Sequence, residues 1–424
     1  MKTVGLIVEY NPLHNGHVYH FHQSKAVTGA EAAVCVMSGN FLQRGEPAIV
    51  NKWARAEMAL NMGADLVIEL PVAFSSQPAE WFAYGAVSAL EQTGVVDCLC
   101  FGSESGNIDW LEALADLLHD EPESFRRELK NQLKKGLNYP AAYSQAVAGW
   151  CAANAKSLAS RISPEQLAQP NNTLGLHYLI ALRRLKSPIK AYTIAREKAG
   201  YNQQTITDRQ IASATAIRRL LLEEGQLSRI APYVPHYTQD ILERESEAGR
   251  APVHWDRFGG LLLYRLLHLA PAQLGNIFEM SEGLENRIKQ ALPEINPAES
   301  PSVEQLIERL KTKRYTKTKL QRALLRVLLG HEKTELPAPT LRQGVPYLRI
   351  LGFSEKGRKL LKTMKKTAKV PVVDKVTKCS SPLLDMDIRA AQVYALGYPR
   401  PQAEEIFRDY YQAPVSFLGG SDSR

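Results

Sequence analysis

The sequence predicts an α/β fold in which helices cover both faces of a parallel sheet and a mainly α-helical, basic region follows. Three observations support this prediction. Apolar, strand-like runs alternate with helical segments over residues 3–104, amphipathic helical segments dominate after about residue 230, and basic residues are concentrated in one part of the second half. With 424 residues, the chain is long enough for two or three domains.

The first predicted elements alternate between strand and helix. Short apolar runs bounded by small or polar residues predict strands at 3–10, 32–39, 65–71 and 95–104. Helical patterns lie between them at about 16–28, 51–63 and 79–94. Because right-handed crossovers bring the carboxyl ends of such strands to one edge of the sheet, we expect a ligand site at that edge.

The pattern becomes helical from about 107 to 185, and a returning strand is predicted at 189–196. The next helix is expected to begin near Ser213, whose side chain is suited to cap it. We therefore expect a first domain over 1–230 and a mainly helical second domain over 231–424, with less regular structure around 333–385.

Composition and cysteine usage argue against several classes of protein. No apolar run of about eighteen residues occurs and the N-terminus lacks a signal-peptide pattern, so we expect no membrane-spanning segment. The five cysteines are scattered and include no C-x-x-C pair. This usage predicts a reducing, cytoplasmic environment and argues against a disulfide framework or a cysteine-based zinc site.

The net charge of +8 is unevenly distributed along the chain. Residues 301–370 contain 18 Lys/Arg and 5 Asp/Glu, a local charge of +13, and the remainder therefore carries −5. This asymmetry indicates a polyanionic partner for that region, where Tyr315 is available to stack on a base. The candidate RNA-binding residues are Lys311, Lys313, Arg314, Lys317, Lys319, Arg322, Lys356, Arg358 and Lys359.

Four histidines occur directly after the first predicted strand, at positions 14, 17, 20 and 22. His14 and His17 are three residues apart and share a face at a helix start, and Gly16 lets a ligand approach the backbone. A helix N-terminus at the carboxyl edge of a sheet favours phosphate, and two imidazoles can add hydrogen bonds to its oxygens.

Two other interpretations of the histidines stay open. A metal site formed by His14, His17 and His20 would lack an H-E-x-x-H pattern or a nearby pair of carboxylates, so no metal ligand is predicted. The histidines could also be structural residues at a partly exposed helix start, and this is the favoured interpretation for His20 and His22.

A polar loop follows the second predicted strand. Its first residues, at the carboxyl end of that strand, are Ser38, Gly39 and Asn40. Gln43 and Arg44 come next, and polar groups of this kind are suited to hold a small carboxylate or a phosphate. Lys52 and Arg55, on the helix that follows, are as compatible with a solvent-exposed face as with a ligand contact.

Several short motifs resemble a known family. "HNGH" (14–17) resembles the H-x-G-H signature of the nucleotidyltransferase superfamily, which is related in fold to class I aminoacyl-tRNA synthetases, and "SATAIR" (213–218) resembles its late [ST]-x-T-x-I-R helix start. More narrowly, the chain resembles the bacterial tRNA(Met) cytidine acetate ligase family in "GLIVEYNPLHNGH", "VMSGNFLQRGEPAI", "DLVIELP", "FGSE", "PNNTLGLHY" and "KRYTKTKLQRALL".

This resemblance implies a Rossmann-like parallel-sheet nucleotidyltransferase domain with helical elaborations, followed by a mainly helical tRNA-binding domain. It also implies a ligase that activates acetate with ATP to acetyl-adenylate and then acetylates N4 of the wobble cytidine of elongator tRNA(Met). Mg²⁺ is expected with ATP, tRNA and acetate are the expected partners, and neither DNA nor a membrane is expected.

The resemblance further implies which residues form the nucleotide site. His14 and His17 would be catalytic, and Ser38, Gly39 and Asn40 would form an acetate or phosphate loop. The implied ATP-binding residues are Ile7, Val8, Glu9, Tyr10, Asn11, Pro12, Leu13, His14, Asn15, Gly16, His17, Val18, Tyr19, His20, Gly102, Asn171, Asn172, Arg196, Ser213, Thr215 and Arg218.

Two alternative functions fit part of the pattern. An adenylyltransferase that makes a nucleotide cofactor, in which a phosphate attacks ATP, would show the same two superfamily motifs. A non-catalytic RNA-binding protein with a vestigial nucleotide fold would explain the basic region, but the intact His14/His17 pair and Arg218 speak against it.

Overall fold

The structure is a computed structural model that describes residues 1–137, 139–155, 162–196, 212–224, 227–295 and 302–417. Its strands are β1 (Thr3–Val8), β2 (Ala32–Ser38), β3 (Leu66–Leu70), β4 (Cys98–Ser103), β5 (Lys190–Ala195), β6 (Leu348–Ser354), β7 (Val372–Val373) and β8 (Val415–Phe417). Over the described ranges these strands form a single sheet in the order β5-β4-β1-β2-β3-β6-β7, and β8 pairs with β6.

The strands β5, β4, β1, β2 and β3 run parallel, which confirms the predicted parallel sheet. Their carboxyl ends meet at one edge, where Val8 pairs with Met37 and Ser103 pairs with Ala195. The loops after β1, β2, β4 and β5 therefore leave the sheet side by side. This edge is where ligands of open α/β sheets bind.

The side chains of β2 alternate between two apolar cores, one on each face of the sheet. Val34 belongs to the core that includes the helix Ala79–Thr93, and Cys35 belongs to the core that includes the helix Lys52–Met62. Because both faces are covered by helices, the strand has no polar face, as its continuous apolar sequence indicates.

The helices of the first half match the predicted segments closely. α-Helices up to residue 224 are Asn15–Thr28, Lys52–Met62, Val72–Ser75, Ala79–Thr93, Asp109–Leu118, Glu123–Lys134, Tyr139–Asn154, Pro164–Ala168, Pro170–Arg184 and Ala214–Glu224. Later α-helices are His236–Glu247, Gly259–His268, Pro271–Asn276, Leu284–Ala291, Val303–Leu310, Lys317–Leu329, Ala338–Leu341, Glu355–Thr367, Pro382–Leu396, Ala403–Ile406 and Arg408–Tyr411. Short 3₁₀ turns lie at Leu227–Tyr233, Trp255–Phe258, Leu292–Glu294 and Val376–Lys378. Among the described residues, no helix has the length and apolar character needed to cross a membrane.

The second half of the chain also contributes strands to the sheet. β6 pairs antiparallel with β3, so the sheet continues across the expected boundary at residue 230, and the division into 1–230 and 231–424 stays a prediction about separate roles. The expectation of less regular structure around 333–385 is wrong, because β6 and the helix Glu355–Thr367 lie there. Only a narrow stripe of that helix, which includes Leu360 and Met364, is buried. In the sequence, the many basic residues on its other faces obscure the apolar periodicity that indicates a helix.

A buried charge cluster connects the two halves. Lys52 Nζ lies 2.9 Å from Glu69 Oε1 and 2.8 Å from Asp409 Oδ2. Arg349 Nη1 also lies 2.8 Å from Asp409 Oδ2, and all four side chains are at most 4% exposed. Burial alone would raise the pKa of Asp409, but the two cations outweigh it and lower the pKa to about 2. Asp409 is therefore a buried anion shared by residues from both halves.

We expect the substitution Asp409→Asn to lower the free energy of unfolding by about 3–5 kcal/mol, because it leaves Lys52 and Arg349 with too little negative charge in a buried site. Urea denaturation would measure this change. Asp374→Asn is the matched control, since Asp374 pairs with Lys378 on the surface and its loss should cost less than about 1 kcal/mol. Equal effects of the two substitutions would contradict the role given to the cluster.

Candidate active site

A cavity of about 270 Å³ lies at the carboxyl edge of the parallel strands. It is enclosed by the segment after β1, the ends of β4 and β5, and the first turns of the helices Pro170–Arg184 and Ala214–Glu224. The residues expected from the sequence that line it are Ile7, Val8, Glu9, Tyr10, Asn11, His14, Gly16, His17, Tyr19, His20, Gly102, Asn171, Arg196, Ser213, Thr215 and Arg218. Segments some two hundred residues apart in the sequence therefore meet at one cavity.

His14 and His17 are held in defined orientations by the helix that begins after them. The Nδ1 atom of His14 accepts a hydrogen bond from the backbone N–H of Gly16 at 3.1 Å, and Nδ1 of His17 accepts one from the N–H of His14 at 3.3 Å. The two rings lie 3.8 Å apart between centroids. Because each Nδ1 is an acceptor, each neutral ring carries its proton on Nε2. Both histidines are thereby prepared as hydrogen-bond donors.

The histidines of the cavity are uncharged at neutral pH. Burial, with Arg196 and Arg218 nearby, lowers the pKa of His14 to about 3. Burial and the neighbouring His14 lower the pKa of His17 well below its usual range. Burial and Arg196 also lower the pKa of His20 to about 4, and His20 lines the cavity. The permanent positive charge of the cavity therefore comes from arginine.

The late helix Ala214–Glu224 connects to the segment after β1. Ser213 caps this helix by accepting a hydrogen bond from the N–H of Ala216 at 3.1 Å, which confirms the predicted cap. Arg218 Nη1 donates to the carbonyl oxygen of Asn11 at 3.0 Å, and its Nη2 lies 3.6 Å from Glu46 Oε2. A helix N-terminus and a guanidinium group thus face the same space as the histidines, an arrangement that favours a phosphate ligand.

Arg196 and Gly102 form the opposite wall. Arg196 Nη1 donates a 2.8 Å hydrogen bond to Asn171 Oδ1, and Asn171 Nδ2 in turn donates to Glu104 Oε1 at 2.7 Å. A Cβ atom at Gly102 would lie 3.1 Å from Cγ of Arg196 and 3.6 Å from His20. The absence of a side chain at Gly102 therefore leaves room for Arg196 against the end of β4.

Some of the expected residues do not line the cavity. Asn172 is fully buried: its Oδ1 accepts from the backbone of Glu104 and Ser105, and its Nδ2 donates to Gln166 and Gln169. Both polar atoms of its side-chain amide are therefore hydrogen-bonded within the protein, whereas the adjacent Asn171 lines the cavity. Other expected residues outside the cavity wall are Pro12, Leu13, Asn15 and Val18.

The loop after β2 lines the cavity with Gln43 and Arg44, as expected, but not with Ser38, Gly39 and Asn40. Ser38 Oγ donates to Glu9 Oε1 at 3.3 Å, the carbonyl of Gly39 accepts from Arg55, and Asn40 Oδ1 accepts from the N–H of Lys52 at 2.8 Å. These polar groups bind other parts of the protein and do not line the cavity. The lining residues of the loop are Leu42, Gln43, Arg44 and Glu46.

Sequence reasoning missed the apolar part of the wall. It includes Phe82, Phe101, Leu174, Tyr178 and Ile194. In the sequence these residues have the same pattern as core positions, so no local signal separates them from the core. Among the described residues, no group of three or more His, Cys, Asp or Glu side chains is placed to hold a metal ion.

The basic segment 311–322 lies next to the cavity. The helix Lys317–Leu329 packs on the loop after β2, which lines the cavity. A Cβ atom at Gly45 in that loop would lie 2.6 Å from the backbone N of Arg322, and Gln321 Nε2 donates to Glu46 Oε1 at 3.3 Å. Within this segment Lys311, Arg314, Lys317, Lys319 and Arg322 all form ion pairs with glutamates. Lys313 is exposed and has no ion pair with a described residue.

The expectation that Tyr315 stacks on a base is wrong. Its ring is buried, its hydroxyl donates to the carbonyl of Glu282 at 2.7 Å, and Lys319 Nζ lies 5.1 Å from the ring centroid. Tyr315 is instead a structural anchor for the segment that carries the lysines.

The second basic group, which contains Lys356, Arg358 and Lys359, lies at the opposite edge of the sheet. The helix that carries it crosses the amino ends of the strands: Lys356 Nζ donates to the carbonyl of Glu31 before β2, and Thr367 Oγ1 donates to the carbonyl of Thr93 before β4. The two basic groups are therefore separated by the length of the sheet.

Comparison with known proteins places these features in a family. A family model described as HIGH Nucleotidyl Transferase matches residues 1–409. Proteins named tRNA(Met) cytidine acetate ligase from Acetivibrio thermocellus and Caldanaerobacter subterraneus subsp. tengcongensis are each 42% identical, over 97% and 94% of this chain and 99% and 96% of their own lengths. Crystal structures of Thermotoga maritima TmcAL, apo and bound with alpha-thio ATP, are 34% identical with TM-scores of 0.89 and 0.87, and each covers 99% of this chain and 100% of its own.

We expect Arg218→Ala to raise the dissociation constant for ATP by about tenfold or more, because the cavity loses a guanidinium group that is expected to bind phosphate. Isothermal titration calorimetry would measure it. Arg219→Ala is the matched control, since Arg219 lies on the same helix, is exposed and pairs with Glu223. An equal loss of affinity in both variants would show that Arg218 acts through the helix and not at the nucleotide.

Proposed function

The chain belongs to the HIGH nucleotidyl transferase family and, within it, to the tRNA(Met) cytidine acetate ligases, and we propose that it joins acetate to the wobble cytidine of elongator tRNA(Met) with ATP. The observation that carries this proposal is the meeting of the His14/His17 pair with Arg218 and the helix start at Ser213 in one cavity. The reaction has two steps: acetate attacks the α-phosphate of ATP and pyrophosphate leaves, then the cytidine N4 attacks the acetyl carbon and AMP leaves.

The first step needs groups that stabilise charge on the phosphates. His14 and His17 would donate hydrogen bonds from Nε2 to phosphate oxygens, where charge increases as pyrophosphate departs. Arg196 and Arg218 supply permanent positive charge, and the N-terminus of the helix Ala214–Glu224 adds its backbone N–H groups. No protein nucleophile is required, because the adenylate is itself the activated species.

Mg²⁺ would enter with ATP as part of the substrate. The carboxylates of the described cavity wall are Glu9 and Glu46, and Glu46 already lies near Arg218. The oxygens of the phosphates, together with water molecules, are therefore expected to supply most of the ligands of the ion.

Docking of tRNA is best supported next to the cavity. The segment 311–322 packs on the loop after β2, so a tRNA phosphate backbone held there would place a nucleotide near the reacting groups. The uneven charge of the chain and the surface lysines agree with backbone contacts. All five cysteines are free thiols, which supports the proposed cytoplasmic location.

Pyrophosphate–ATP exchange should depend on acetate. A panel of small acids and phosphate-bearing acceptors would identify the nucleophile, and exchange with a phosphate acceptor alone would instead support a cofactor-making adenylyltransferase. We expect His17→Ala to reduce acetate-dependent exchange by about a hundredfold or more, since a hydrogen bond to the reacting phosphate is lost.

The matched control for this experiment is His22→Ala. His22 is exposed on the same helix and does not line the cavity, so its substitution should leave exchange unchanged. Equal losses in the two variants would contradict a specific role for His17.

We expect Lys313→Glu to raise the tRNA concentration needed for half-maximal acetylation and to lower the salt dependence of binding by about one unit of slope, while exchange stays unchanged. Lys359→Glu is the comparison, because Lys359 is also exposed without an ion pair to a described residue but lies at the amino edge of the sheet. A larger effect at Lys359 would show that tRNA approaches from the opposite edge.

A further inference from the structure

Glu9 is a carboxylate of the cavity wall that the first step leaves without a role. It lies one residue beyond the end of β1, between the sheet and the histidine pair. Its Oε1 atom accepts hydrogen bonds from the N–H of Gln43 at 2.7 Å and from Ser38 Oγ at 3.3 Å. One oxygen of the carboxylate is therefore fixed by the loop after β2.

The second oxygen, Oε2, has no hydrogen-bond partner in the part of the chain that the structure describes, and it is not enclosed. The nearby guanidinium of Arg55 does not neutralise it by a direct bond, because Arg55 Nη1 donates to the backbone carbonyl of Glu9 at 2.7 Å. Glu9 lines the cavity, so its carboxylate keeps one oxygen there without a hydrogen-bond donor from the described protein.

The basicity of Glu9 is also raised. Burial raises the pKa of Glu9 and Glu46 adds to this, while the N–H of Gln43, Arg55 and Arg44 act in the opposite direction. A carboxylate with a raised pKa is a better proton acceptor than an exposed one and is typical of general bases.

The second step of the proposed function releases a proton that needs an acceptor. We propose that Glu9 is the general base that takes this proton from the cytidine N4 through its accessible Oε2. The N4–C bond to the acetyl group forms, the C–O bond to the AMP phosphate breaks with its electron pair on AMP, and the N4 proton passes to Glu9.

The histidines, arginines and other carboxylate of the described cavity wall are less suited to this role, and for His20 the reason is that burial and Arg196 lower its pKa to about 4. His14 and His17 use Nδ1 as acceptors for the backbone and carry their protons on Nε2, and their pKa values are lowered. Glu46 lies within ion-pair distance of Arg218, and the arginines are cations. Glu9 is the carboxylate that combines a fixed orientation with an open oxygen.

This inference rests on the proposed function, and the test separates the two half-reactions. Acetate-dependent exchange is measured first, and then acetyl transfer from preformed enzyme-bound acetyl-adenylate to unmodified tRNA(Met) is followed in a single turnover. In Glu9→Gln we expect the rate of acetyl transfer to fall about a hundredfold or more, and to fall far more than the rate of exchange. The amide keeps an oxygen that can accept from Gln43 but cannot take the proton.

The matched control is Glu57→Gln, because Glu57 pairs with Arg244 outside the cavity and its substitution should change neither half-reaction. If Glu9→Gln lost its cooperative thermal transition, Glu9→Asp would replace it, since the shorter side chain withdraws the base by one methylene. A transfer rate that falls far more than the exchange rate is again the expected result.

Two outcomes would overturn the role of Glu9 alone. Normal transfer in the variant would show that a group other than Glu9 accepts the proton, and an equal loss of exchange and transfer would show that Glu9 serves binding of ATP or acetate. Absence of acetate-dependent exchange in the unaltered protein would instead refute the proposed function, and the inference with it.

Discussion

The cavity depends on one buried guanidinium, that of Arg55, which ties together the ends of β1 and β2. It donates hydrogen bonds to the backbone carbonyls of Glu9, Ser38, Gly39 and Val50. Burial lowers the pKa of this arginine to about 10, so it remains a cation at neutral pH. Because these carbonyls belong to both cavity loops, the positions of the histidine segment and of the Gln43 loop are set by the same side chain.

The helix that carries Arg55 also carries Lys52, and the two residues stabilise the edge of the sheet by different contacts. Arg55 binds uncharged carbonyls, whereas Lys52 binds the carboxylates of Glu69 and Asp409. The second contact reaches the C-terminal part of the chain, so that part stabilises the cavity loops without lining the cavity. A domain boundary drawn near residue 230 separates proposed roles, but the buried charges and the sheet unite the two halves physically.

Features set by local pattern were predictable from the sequence, and features set by distant partners were not. The apolar strands and the His-Gly-His helix start follow from periodicity and from position after a strand. Asn171 and Asn172 are equivalent in sequence, and the hydrogen bonds of Asn172 to the distant backbone of Glu104 and Ser105 and to Gln166 and Gln169 hold its side chain within the fold. Arg55 likewise shares the pattern of an exposed helix face, because its four acceptors lie at the end of β2 and in the loops that follow β1 and β2, whose positions the sequence does not specify.

Neutral imidazoles lie beside permanently charged guanidinium groups in the cavity, and this combination allows the pKa of His14 to change when a nucleotide binds. Burial, Arg196 and Arg218 keep the pKa of His14 low before a ligand arrives. A polyphosphate would offset those cations, so the pKa of His14 would rise towards its ordinary value as negative charge enters. The proposed hydrogen bond from Nε2 to a phosphate oxygen would then strengthen as charge accumulates on the departing pyrophosphate. The histidine pair is thus tuned by arginines from the end of β5 and from the late helix, which is why these distant segments must close on one cavity.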